Sequence, residues 1–150
     1  MQRSDDEEGW TMLTMARWVA VLAGFFYLVF GMWAFAAPGS FAETVASFPP
    51  YNVHYLHDLG AFQVGLGVAL LAAVIWSNAL GAVLAGVAAT SVLHTVSHVT
   101  DHGLGGRASD PYSLGLLAVV VLVGLVAAAR RTPSPQVRAG ASSDRPPSRL

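Results

Sequence analysis

Four long, almost uninterrupted apolar stretches, separated by short polar or turn-forming segments, organise this sequence. Between Met12 and Ala37 the one charge is Arg17, followed by WVAVLAGFFYLVFGMWAFAA. That length matches the roughly 20 apolar residues a helix needs to cross about 30 Å of hydrocarbon. The first span is therefore set at about 13–37 and is ended by Pro38-Gly39. AFQVGLGVALLAAVIW gives a second span at about 59–76, Ser77-Asn78 a tight turn, and a third span follows at about 79–102, so that spans two and three form a hairpin. GLGGRASD reads as a loop whose Asp110 and Pro111 suit an N-cap and a first helical position. YSLGLLAVVVLVGLVAAA makes the fourth span, at about 111–129, stopped by Arg130-Arg131. The fold class predicted is all-α: a transmembrane four-helix bundle over residues 12–131, with disordered N- and C-terminal tails.

The segments outside the spans differ in kind. Residues 1–11, MQRSDDEEGWT, hold a run of four acids and little to bury, the composition of a solvated tail. From Thr132 to Leu150 the Pro, Ser and Arg content predicts a second disordered tail. PGSFAETVASFPPYNVHYLH mixes turn formers with aromatics, which predicts a loop containing a short interfacial helix, with Tyr51 and Tyr55 at headgroup depth. Ala34-Phe35-Ala36 has the small-x-small form of a signal-peptidase site, but the acidic leader and the long apolar core fit a retained anchor better.

Composition agrees with the pattern: the 150 residues are 54% hydrophobic and 11% charged, too apolar for a soluble domain of this length. The lipid bilayer is the expected surrounding. Every basic residue is Arg, and from Val19 to Ala129 the only charges are Glu43, Asp58, Asp101, Arg107 and Asp110. No basic face exists, which excludes nucleic acid as a partner. Arg3 and Arg17 precede span one and Arg130, Arg131 and Arg138 follow span four, while the opposite loops hold only Arg107, so both termini are expected in the cytoplasm and the chain in the cell membrane. Trp18 and Trp76 at one boundary, with Trp33, Tyr51, Tyr55 and Tyr112 at the other, have the distribution of interfacial aromatic belts. Small residues, among them Gly24, Gly31, Gly60, Gly65, Gly67, Gly81, Ala85 and Gly86, permit close helix contacts.

This topology brings every histidine to the extracytoplasmic end. His54, His57 and Asp58 enter span two from outside, and His94, His98, Asp101 and His102 leave span three towards outside. With 3.6 residues per turn, positions 94, 98, 101 and 102 share an arc of roughly 100°. If the two segments of the hairpin face each other, seven potential metal ligands converge. One ion cannot use all three histidines of span three, because His94 and His102 are about 12 Å apart along the helix. The chain has no Cys, which removes disulfides, thiolate sites and cysteine nucleophiles, and no Met follows Met32. Imidazole with carboxylate suits Zn, Fe, Mn or Cu(II), with Asp58 and Asp101 as ligands or as orienters of a ligand imidazole. Haem b is the other form of the idea, with one His from each helix as axial ligands and Arg107 near a propionate. The bland alternative is that these are solvated groups at helix ends; it fits His98, Asp101 and His102 better than His94, which lies deeper in the hydrocarbon, where ionisable residues are costly. Gln63, Thr90, Ser91, Thr95 and Ser97 read as interhelical hydrogen-bonding residues. No Walker A loop, Gly-x-Ser-x-Gly, His-Glu-x-x-His or dinucleotide fingerprint occurs.

PYNVHYLHDLGAF, followed after one hairpin by HTVSHVTDH, resembles a group of actinobacterial four-helix membrane proteins that is loosely similar to the DoxX-like proteins. The resemblance spans roughly Trp18 to Ala128 and rests on Pro50, Tyr51, Asn52, His54, Asp58, Gly60 and Ala61, with His94 and His98 as its His-x-x-x-His; His57 and His102 match less well. It implies redox or quinone-linked work in the membrane without assigning a reaction. Two expectations follow: a membrane protein whose His/Asp cluster binds a transition metal or haem, or a non-catalytic small subunit, joined to other membrane subunits or to itself, whose cluster is structural. A proton or ion relay through the same side chains is less well supported, since no charged residue continues the path through the inner half of spans two and three.

Overall fold

A computed structural model describes residues 2–130 of the protein. Five helices make up the fold: α1 (Gln2–Ala36), α2 (Pro38–Thr44), α3 (Val53–Ile75), α4 (Leu80–Thr100) and α5 (Asp110–Arg130). Four of them, α1 from Glu7 onward and all of α3, α4 and α5, are long and apolar enough to cross a membrane. The chain thus has the architecture of a multi-pass membrane protein, an all-helical bundle. Large apolar side chains cover its outside, including Phe62 at 76% and Ile75 at 79% exposure, as expected where lipid replaces water as the solvent.

Helix boundaries depart from the sequence expectation where local chemistry intervenes. α1 begins at Gln2, so the acidic run expected as a tail continues the first helix. A long apolar helix, once nucleated, propagates cheaply into the segment that precedes it. α3 starts six residues before the expected Leu59, because Asn52 caps it: its side-chain oxygen accepts from the backbone N–H of Tyr55 at 3.2 Å. α4 ends at Thr100, leaving Asp101 as its C-cap and His102 beyond the helix. The short interfacial helix expected in the first loop is α2, whose Phe41 is buried with Ala34 and Leu56. The tail expected at 132–150 lies outside the described residues.

Packing does not follow the chain order. α3 and α4 are joined by a tight turn, in which the Ala79 N–H donates to the Trp76 carbonyl at 2.8 Å, yet they touch little; α3 packs along α1, α4 along α5, and α1 also packs on α5. Glycine explains the first pairing. A Cβ on Gly60 would lie 2.7 Å from the Gly31 carbonyl oxygen, and one on Gly67 would lie 2.8 Å from that of Gly24. Two backbones therefore meet at two levels seven residues apart, which any side chain would prevent. Gly65, Gly81 and Gly86, also expected at helix contacts, meet nothing within 4 Å.

The densest core fills the half of the bundle nearest the α3–α4 turn, around Ala16, Ala20, Leu70, Leu84, Val87 and Val121. Towards the opposite end, called here the loop end, aromatic side chains replace small ones on α1 and the helices enclose a cavity.

Candidate functional site

The cavity has a volume of about 310 Å³ and is walled by every helix. α1 contributes Phe26, Tyr27 and Phe30; α2 contributes Phe41 and Ala42; α3 contributes Tyr55, Leu56, Leu59 and Gln63. Ser91, His94 and His98 come from α4, and Asp110, Ser113, Leu114 and Leu117 from α5. Phe48, Pro50, Tyr51 and Asn52 of the α2–α3 segment close the loop end. Most of the wall is apolar or aromatic, and the histidines and the one carboxylate stand on the α4–α5 side, the usual make-up of a small-molecule site.

That polar side is built from local structure. His94 and His98 stand one turn apart on α4, so their rings lie on one face with centroids 4.9 Å apart. The α4–α5 loop then brings Asp110 back towards them: its Oδ2 is 3.8 Å from His98 Nδ1, and both side chains are only 17% exposed. The same oxygen accepts the backbone N–H of Arg107 at 2.8 Å, which fixes the carboxylate against the loop. Gly105 and Gly106 make this return possible with φ of 144° and 79°, backbone that L side chains rarely adopt. Gly106 N–H donates to the Ser47 carbonyl at 3.0 Å, tying the two loops together. Phe48 sits between them, edge-on to His98 with ring centroids 5.4 Å apart. A Cβ on Gly106 would lie 2.8 Å from the Phe48 ring, so glycine there is a requirement of the seat.

Two further groups mark the floor and one wall. The Ser91 hydroxyl donates to the Val87 carbonyl at 2.8 Å and lies 2.9 Å from the Tyr27 hydroxyl, which makes Tyr27 the donor of a buried α1–α4 link. Gln63 Oε1 is buried with no hydrogen-bond partner among the described residues. Thr90, Thr95 and Ser97, expected to bond between helices, instead return their hydroxyls to carbonyls of α4 itself: Gly86, Ser91 and His94.

Of the seven residues that the sequence groups as metal ligands, only His94 and His98 reach the cavity. His54 and Asp58 face away from it, paired at 3.5 Å with their side chains 84% and 57% exposed. The His57 ring packs against Phe35 of α1 at 5.1 Å. Asp101 caps α4, and His102, beyond the helix, places Nδ1 3.3 Å from the Val99 carbonyl oxygen. The expected convergence fails for a physical reason: with α3 drawn onto α1 by the glycine contacts, its histidine face is turned away from α4. Among the described residues no group of three or more His, Cys, Asp or Glu is arranged to hold a metal ion. Asp110 is the member that the sequence left out, because an Asp before a Pro at a helix start already has a sufficient role as a cap. Phe48 gave no signal at all beyond being an aromatic in a turn-rich segment. Compared with known proteins, the chain matches no family model, no curated protein and no solved structure.

Proposed function

We propose that this chain is a cell-membrane protein, with both termini in the cytoplasm, that binds a small, largely apolar ligand in its extracytoplasmic half and holds the ligand's polar part against His94, His98 and Asp110. The carrying observation is the cavity of about 310 Å³, largely apolar and aromatic, with its two histidines and its carboxylate together on the α4–α5 wall. Ionisable groups at membrane depth are costly, and their grouping on the wall of a cavity marks function rather than packing. The volume lies at the lower end of small-molecule sites, so the ligand is of the size of a substituted aromatic ring.

The test uses 4-fluorotoluene as a ¹⁹F probe with the protein in lipid nanodiscs, beside a variant in which Ala42→Phe fills the cavity. A bound signal present in the wild type and lost in the variant is the expected result. Identical spectra would remove the cavity as a binding site.

A transition-metal ion is the second reading, favoured by two imidazoles one turn apart with a carboxylate beside one of them. It needs a side-chain rearrangement to complete a ligand set from His94, His98 and Asp110. Haem b draws less support, since α3 brings no imidazole to face α4. Elemental analysis and an absorption spectrum of wild type and His98→Ala, after reconstitution with Zn, Mn or Fe(II), decide between ligand and metal. Metal-free, probe-free protein would leave the cluster a structural group of a larger membrane assembly.

A further inference from the structure

The charge inventory of the cavity restricts the class of ligand. Among the described residues no Lys or Arg lines it, and its one carboxylate is that of Asp110. Among the described residues, the single ionisable partner of that carboxylate within 4 Å is His98, at 3.8 Å, and an imidazole offers a positive charge only when protonated. The carboxylate spends Oδ2 on the Arg107 N–H, and no hydrogen bond from the described residues reaches Oδ1. The ring of Phe48 stands beside it, against His98 and Gly106, and the rings of Phe30, Phe41, Tyr51 and Tyr55 line the same cavity. Aromatic faces carry negative potential and attract a cation placed over them, most strongly where water is excluded. An anionic ligand would meet the Asp110 carboxylate with only the partial positive end of α5, already opposite that carboxylate, to offset it, whereas a cation would complete the compensation of its charge.

We infer that the ligand of this cavity is a lipophilic cation, an amine or quaternary ammonium whose apolar part fills the aromatic space while its positive charge lies at Asp110, beside the Phe48 ring. This rests on the cavity being a ligand site, as proposed above, and adds the sign of the ligand's charge. Phe48 then has a role in recognition: its ring, seated on His98 and the glycine pair, is the aromatic wall that the loops position nearest to Asp110.

The experiment compares two probes of one shape, phenyltrimethylammonium and its uncharged isostere tert-butylbenzene, each titrated into the full-length protein in zwitterionic nanodiscs. Binding is read from the imidazole resonances of His94 and His98, so that partition into lipid does not count. The expected result is a dissociation constant for the ammonium lower by about tenfold or more than for the isostere. Asp110→Asn is expected to remove most of that difference. Because Asp110 also braces its loop, Tyr55→Leu serves as a second variant at an exposed wall position, with cation affinity falling and isostere affinity holding. Equal affinity of the two probes in the wild type would overturn the charge assignment while leaving the cavity a ligand site. Imidazole resonances unmoved by either probe would overturn both.

Discussion

Among the described residues, Tyr27 and Ser91 form the one buried side-chain hydrogen bond that ties α1 to α4, and it lies at the floor of the cavity, where the packed half of the bundle gives way to the open half. Its partners are not equivalent. Ser91 keeps its donation to the Val87 carbonyl whatever Tyr27 does, whereas the Tyr27 hydroxyl has no other acceptor among the described hydrogen bonds. Tyr27→Phe is therefore expected to cost about 0.5–1.5 kcal/mol, the range for a hydrogen bond between membrane helices. Unfolding in mixed micelles checks this, and a double-mutant cycle with Ser91→Ala should show coupling; strictly additive effects would mean that the bond contributes nothing. By contrast the His54–Asp58 pair, with both side chains mostly exposed, belongs to a class of interactions worth at most about 1 kcal/mol.

Among the helices, the contact of α1 with α3 decides the arrangement of the rest, and glycine decides that contact. Gly60→Val should break the bundle, because the new side chain meets the Gly31 carbonyl and the backbone of Phe35, neither of which can yield. Gly86→Val, on a face that meets nothing within 4 Å, should leave the unfolding midpoint within error. Similar losses at both positions would show that helix propensity, not packing, governs the pair. The same contact marks the limit of sequence reading. Hydropathy and the prolines and glycines between the stretches were enough for four helices, their order and the short α2, because crossing hydrocarbon leaves few options for the backbone. Which glycines form contacts was not legible: Gly60 and Gly67 look like Gly65, and only the rotation of α3 separates them. His94 and His98 were legible as a pair from their spacing on one helix. Asp110 was not, since its approach to His98 depends on a loop closed by two glycines with positive φ.

For the whole molecule, an even number of spans puts the start of α1 and the end of α5 on one side of the membrane. In the proposed topology that side is the cytoplasm, as the arginine distribution predicts. Reporter fusions check it: a fluorescent protein at either terminus should be bright and alkaline phosphatase there inactive, with the reverse after Gly103, and the opposite pattern would invert the proposed location of the cavity. The pairing of helices has a mechanical consequence as well. α1 with α3 forms one stiff arm, locked by backbone contact, and α4 with α5 forms another; the arms are joined by the Trp76–Ala79 turn and bear on each other where Val19 meets Gly124. The bundle is thus built like a pair of tongs whose pivot lies in the packed half and whose jaws close on the cavity. At the tips, the fastening is the Gly106–Ser47 hydrogen bond and the seated Phe48 ring, small restraints beside the glycine contacts within the α1–α3 arm. A change of a few degrees at the pivot would alter the width between the jaws far more than the packing of either arm, so the proposed site would admit ligands of different girth without the unfolding of any helix.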